Sequence, residues 1–201
     1  MSTNNSTRLR QQLRAARRSL GAKQQSLAAR GVARQVNRSR YFRSASRIAC
    51  YFAADGEIGT DKLIEHIWQS GKRSYMPILT YMIGERLWFA PVTRDSKFVL
   101  NRFGIPEPIA PSRSLIDARQ LDLILMPLVG FDQQGNRLGM GGGFYDRTLA
   151  FMHHRKAWHR PKLIGLAHAL QQVDSLEPSS WDVPLDGVAT DKQLFNFSRN
   201  K

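Results

Sequence analysis

The chain carries one cysteine, Cys50, among 201 residues, which excludes an intramolecular disulfide framework and fits a reducing compartment. Set in the run Ile48-Ala49-Cys50-Tyr51, it reads as a packing residue rather than a nucleophile. No apolar stretch approaches the roughly 18 residues needed to span a bilayer, and no apolar signal core stands near the first residues, so a cytoplasmic protein with no membrane partner is expected. Internal repeats and low-complexity linkers are also missing. Acidic residues are absent from the first quarter: residues 1 to 54 hold eleven Arg and one Lys with no Asp or Glu. The other residues hold 18 basic and 16 acidic side chains, so 12 of the 14 net positive charges come from that one segment.

With 42% hydrophobic residues, the chain is long enough for one well-buried core, and a single compact domain acting as a monomer is expected. The basic segment admits three readings: a nucleic-acid arm, a transit peptide, or a helix meeting an anionic substrate. Leu9, Leu13, Ala16 and Leu20 recur at helical spacing, which favours a docked amphipathic helix over about residues 6 to 20, with Arg10, Arg14, Arg17 and Arg18 projecting elsewhere. A second helix is predicted from Gln24 to Asn37. Arg47 to Phe52 then reads as a strand, Thr60 as the cap of a helix ending at Gly71, and Arg73 to Met76 as a strand before Pro77. That order is a βαβ unit. It makes the fold α/β, with a mainly parallel sheet flanked by helices. A further strand over Arg86 to Ala90 is entered from a turn at Gly84, and Asn101 to Pro108 reads as an irregular loop because of its prolines. Leu121 to Pro127 is the most strand-like run and is expected to be central. Phe144 to His154 reads as a helix, Lys162 to Ala167 as a last strand, and Trp181 to Asp186 as a terminal loop.

Arg137-Leu138-Gly139-Met140-Gly141-Gly142-Gly143-Phe144-Tyr145-Asp146-Arg147 places four glycines in five positions ahead of a helical stretch. Glycine reaches positive φ at little cost and lets backbone N–H groups approach a ligand, so this loop suits a phosphate. Arg137 and Arg147 bracket it with positive charge, and Asp146 stands where a carboxylate could hold magnesium against the phosphates. It is neither common nucleotide fingerprint: Phe144 breaks a G-x-G-x-x-G pattern, and no glycine precedes Lys-Ser or Lys-Thr. A ligand-free tight turn needs fewer glycines. His153, His154 and His159 match no common zinc spacing and read as part of a basic helix end.

This segment, together with Met126 to Asp132, resembles the signature of the 5-formyltetrahydrofolate cyclo-ligase family. Asp55-Gly56-Glu57-Ile58-Gly59-Thr60, Ile105-Pro106-Glu107-Pro108 and Trp181 to Asp186 follow in the family's order, so the resemblance covers nearly the whole chain. It implies an enzyme using ATP and Mg2+ to convert 5-formyltetrahydrofolate, with or without a polyglutamate tail, to 5,10-methenyltetrahydrofolate with release of ADP and phosphate. ATP would phosphorylate the formyl oxygen, the second folate nitrogen would attack the activated carbon, and phosphate would leave as the ring closes. By the same resemblance, Arg137 to Tyr145 bind the ATP phosphates, Arg137, Tyr145 and Asp146 serve the chemistry, and Asp146 and Asp186 ligate the metal. Met140 to Phe144 border the folate, Glu57 hydrogen-bonds its pterin ring, and Phe52 or Tyr51 walls it. The family's N-terminal lysine, three residues before a Leu-Arg pair, is Ser6 before Leu9-Arg10 and Arg10 before Leu13-Arg14, so either Arg10 replaces it beside Arg14 or its role is absent. Met140 stands where the family often has Tyr or Arg. Two other classes compete: a nucleic-acid-binding module using the basic segment, and another phosphate-using α/β enzyme such as a sugar-phosphate isomerase or acyl-CoA transferase.

Overall fold

A computed structural model of the chain describes residues 3–79, 86–154 and 160–197. The acid-free segment forms α1 (Thr3–Arg18), α2 (Ala22–Arg38) and the single turn α3 (Arg40–Arg43). α2 buries Ala28, Val32, Ala33 and Val36 at helical spacing. On its other side Gly31 admits the Asp191 backbone so closely that a Cβ would stand 2.7 Å from the Asp191 carbonyl oxygen.

β1 (Arg47–Ala49), α4 (Asp61–Gln69) and β2 (Arg73–Leu79) complete the expected βαβ unit, with β1 and β2 parallel. Thr60 does not cap α4 through its side chain; its hydroxyl donates to the Tyr51 carbonyl at 2.6 Å and pins the helix start to the chain leaving β1. β2 runs through Pro77, because β1 pairs only as far as Tyr75, and from there on the ladder continues on the other side alone, with antiparallel β3 (Leu87–Val92), which pairs from Ser74 to Leu79. The turn expected at Gly84 lies outside the described residues. Where an irregular loop was expected, β4 (Phe98–Leu100) and β5 (Pro106–Pro108) form a hairpin. In a two-stranded ribbon both strands are edges, so proline is tolerated.

β6 (Leu123–Pro127) is followed by the small hairpin β7 (Gly130–Phe131) and β8 (Arg137–Leu138), then α5 (Phe144–Leu149), which gives way to a 3-10 turn over Ala150–His154 instead of continuing as one helix. β9 (Lys162–Ala167) is not the last strand. The Trp181 to Asp186 segment leads on to β10 (Gly187–Thr190) and β11 (Leu194–Asn196). The seven-stranded order is β11-β10-β9-β6-β1-β2-β3, parallel from β10 to β2 and antiparallel at each margin, with β6 central. Leu123 and Leu125 join a core with α2, α3 and α4, while Ile124 and Met126 join the core that holds Leu149 of α5. This period of two buries both faces of the sheet. The carboxyl ends of β1, β2, β6 and β9 share one edge, and the loops that leave them build the site.

Candidate active site

The loop leaving β1 turns through two left-handed residues, Asp55 at φ 54° and Gly56 at φ 76°. A Cβ on Gly56 would stand 3.0 Å from the Arg17 carbonyl oxygen, so the close approach of α1 requires glycine here. The Asp55 carboxylate gathers three guanidinium groups: Arg14 Nε at 2.7 Å, Arg17 Nη2 at 2.7 Å and Arg18 Nε at 2.6 Å. Burial pushes the Asp55 carboxyl up, but Arg14 and Arg17 outweigh it and hold it at about 2. Arg17 therefore does not project outward as expected. It is wholly buried, with Nε donating to the Asp55 carbonyl at 2.8 Å and Nη1 to the Leu128 carbonyl at 3.1 Å. Leu9 and Leu13 pack against Val129, Leu138 and Leu176, which docks α1 at the carboxyl edge of the sheet. Arg10 Nε then reaches the Gly139 carbonyl at 2.9 Å.

Glu57 is nearly buried, its side chain 12% exposed. Oε2 accepts the Ala54 N–H at 3.1 Å and Oε1 stands 3.6 Å from Arg17 Nη2. Burial raises this carboxyl above the usual range despite the opposing Arg17 charge. Of the two neighbouring aromatics, Tyr51 points into the core and donates its hydroxyl to the Ile58 carbonyl at 3.1 Å. Phe52 is half-buried and meets Phe98 edge-on, with ring centroids 5.1 Å apart. His168 and Gln171, unremarked in the sequence, support the same edge: His168 Nε2 lies 3.2 Å from the Gly56 carbonyl, and Gln171 Nε2 donates to Leu128 and Val129 carbonyls at 2.8 and 2.9 Å. Burial lowers the His168 pKa, favouring the neutral ring.

Asp132, fully buried, accepts the Gln134, Asn136 and Leu176 N–H groups and so fixes the β7–β8 hairpin that presents the glycine loop. Among the described residues, no backbone N–H from Gly139 to Gly143 donates to the protein. Gly141 (φ 96°) and Gly143 (φ 63°) are left-handed. Met140, Gly141 and Gly142 are exposed, while the Leu138 side chain is buried under α1 and can offer a ligand only its backbone. Arg137 is also drawn inward, donating through Nη1 to the Val183 carbonyl and through Nη2 to Asp146 Oδ1. Its side chain is only 6% exposed, and so it is not the open bracket expected. Arg147 lies over the Phe144 ring at 5.0 Å. Burial raises the Tyr145 hydroxyl well above its usual range, and the Glu57 charge adds to this.

Burial also raises the Asp146 carboxyl; Arg137 opposes this and the nearby Asp182 charge reinforces it. Asp186, expected as the second metal ligand, is at the other end of the sheet. Its carboxylate accepts from Lys162 Nζ at 3.0 Å and from the Leu163 N–H at 2.9 Å, where β9 begins. The structure thus does not bring Asp186 to Asp146; the acid near Asp146 is Asp182. Among the described residues no group of three or more His, Cys, Asp or Glu side chains gathers as for a protein-only metal site. His153 Nε2 lies 3.2 Å from the Trp181 carbonyl, and His159 lies outside the described residues.

The β4–β5 hairpin, read from sequence only as a loop, hangs over this edge. Glu107 Oε1 accepts the Leu79 N–H at 3.2 Å where β2 ends, Phe98 meets Phe52, and Phe103 meets Phe144 edge-on at 6.5 Å. The Phe98-Val99-Leu100 run was the available signal.

The sequence profile of the 5-formyltetrahydrofolate cyclo-ligase family matches residues 2–191. The chain belongs to that family. The 5-formyltetrahydrofolate cyclo-ligase of Haemophilus influenzae is 40% identical over 187 residues, 92% of this chain and 97% of that one. That of Escherichia coli (strain K12) is 40% identical over 153 residues, 76% and 82% of the two chains. An NMR structure of Aquifex aeolicus 5,10-methenyltetrahydrofolate synthetase superposes with a TM-score of 0.79 at 24% identity, covering 98% of this chain and 94% of its own, which gives the cyclo-ligase family member the same fold. The family resemblance drawn from the glycine loop and the Asp55 to Thr60 segment is thereby borne out. No helix among the described residues is long and apolar enough to cross a membrane.

Proposed function

We propose that the protein catalyses the ATP- and magnesium-dependent cyclisation of 5-formyltetrahydrofolate to 5,10-methenyltetrahydrofolate, releasing ADP and phosphate. The observation that carries this reading is the pairing, on one sheet edge, of an exposed glycine loop with unused N–H donors and a shielded carboxylate at Glu57. The first suits a polyphosphate and the second a ring with adjacent N–H donors.

The formyl oxygen attacks the γ-phosphorus, forming an O–P bond as the bond to ADP breaks. The second folate nitrogen then closes on the formyl carbon, its proton passes to the phosphate oxygens or to solvent, and the C–O bond breaks as inorganic phosphate departs. Both steps depend on alignment and charge stabilisation more than on proton transfer. Amides from Gly139 to Gly143 hold the phosphates, and Arg10 steadies that loop through the Gly139 carbonyl. Arg14 is occupied by Asp55 and supports the nucleotide only indirectly. Glu57 accepts from the pterin, and Phe52, Phe144 and Met140 supply apolar wall. Asp146, with the Asp182 charge nearby, would hold a magnesium ion against the phosphates. Bound there, the ion would offset charge on the β- and γ-phosphoryl oxygens.

Purified protein given 5-formyltetrahydrofolate, ATP and magnesium is expected to produce methenyl absorbance in the near ultraviolet. A folded preparation with no ATP-dependent signal overturns the proposal.

A further inference from the structure

Glu57 reads the folate, on the function proposed above, yet nothing in its own loop fixes the aim of its carboxylate except the Ala54 N–H. Arg17 supplies the missing constraint. Its guanidinium is wholly buried and grips the loop at two atoms of Asp55, the carbonyl (2.8 Å) and Oδ2 (2.7 Å). Its third nitrogen is tied to the Leu128 carbonyl at the end of β6, so the loop is referenced to the rigid centre of the sheet. The face of Nη2 that grips Asp55 also lies 3.6 Å from Glu57 Oε1, too long for a hydrogen bond and close enough to orient a carboxylate by charge. A planar fork serving three acceptors is a task that lysine cannot reproduce.

We propose that Arg17 is a positioning residue for folate recognition: it holds the Asp55 turn against β6 and thereby sets the direction and the ionised state of Glu57. The charged and titratable groups facing Glu57 are Arg14 and Arg17 from α1, Asp55 from its own loop, Tyr51 from the chain leaving β1 and Tyr145 from α5; His168 meets the loop at the Gly56 carbonyl. Arg17 is the wholly buried cation of this set. Burial favours the neutral acid and Arg17 favours the carboxylate. Removing Arg17 therefore moves Glu57 titration upward, and acid abolishes folate binding at a higher pH.

The test is calorimetric binding of 5-formyltetrahydrofolate and, separately, of ADP across pH 5 to 9 by wild type, Arg17→Gln and Arg17→Lys. Expected for Arg17→Gln is a folate Kd raised about tenfold or more, an acid-side midpoint displaced upward, and an ADP Kd nearly unchanged. Arg17→Lys, which keeps charge without the fork, is expected to restore the midpoint and only part of the affinity. Equal losses for both ligands, or a folate loss with an unmoved midpoint, would mean a merely structural role and overturn the proposal. If Arg17→Gln does not fold, Arg17→Lys decides alone: a wild-type folate Kd overturns it. Wild type that binds ADP but no folate would instead remove the folate reading itself.

Discussion

Asp55 is the residue on which three guanidinium groups converge, and its acid titration measures how firmly α1 is docked. Its folded pKa, about 2, lies below the ordinary 3.8, so its contribution is complete above pH 3.8 and is lost as pH falls through about 2. Nearly two pKa units correspond to about 2 kcal/mol. Urea midpoints at pH 5 and pH 2.5 should therefore fall further in wild type than in Asp55→Asn; parallel declines would remove the assignment. Glu57 behaves in the opposite sense: its folded pKa is raised, and the stability it contributes below its ordinary value is lost as pH rises. In the site, Glu57→Gln is expected to weaken 5-formyltetrahydrofolate by about 10–100-fold while leaving ADP affinity intact, as for a lost charge-assisted hydrogen bond. An effect confined to ADP would place Glu57 in the wrong half of the cleft. Asp146→Asn should raise the magnesium concentration for half-maximal turnover by about tenfold or more, read from metal titrations at saturating ATP.

Within single elements, the glycines separate shape from function. Gly139 has ordinary φ, and a methyl carbon added there would meet nothing within 4 Å, so Gly139→Ala should leave the unfolding midpoint nearly unchanged yet weaken ADP where a phosphate needs that space. Gly31→Ala should do the reverse. In α2 the added carbon meets the Asp191 carbonyl oxygen at 2.7 Å, and a cost of about 1–3 kcal/mol is expected by denaturation with ADP affinity retained once folded. The same locality explains what the sequence disclosed. β6 and β9 were visible because an apolar run buried on both faces needs no partner to be recognised, and the glycine loop because its composition exceeds the needs of a turn. The β4–β5 hairpin was hidden by its prolines. β10 was hidden by its brevity, four residues beginning with glycine. Arg17 was hidden for another reason: its acceptors lie 38 and 111 positions away, and helical spacing alone grouped it with the outward arginines.

At the scale of the whole molecule, both cores share one sheet, so unfolding should be a single cooperative transition. ADP and 5-formyltetrahydrofolate, each at about 100 times its Kd, should raise that midpoint by roughly 5–10 °C, from about 2.7 kcal/mol of linkage at about 2–4 °C per kcal/mol. Scanning calorimetry checks both points, and two separately shifting transitions would contradict the shared sheet. The charge imbalance of the first quarter, ambiguous on composition, is partly accounted for inside the molecule, since Arg10, Arg14, Arg17 and Arg18 all engage partners on the site's edge.

Translation runs opposite to assembly here. α1 leaves the ribosome long before the residues that receive it, with Leu128 following Arg17 by 111 positions and Gly139 following Arg10 by 129. Until the chain through Gly139 exists, the nascent arginine helix lacks those two carbonyls, and Asp55 is the counter-charge within its reach.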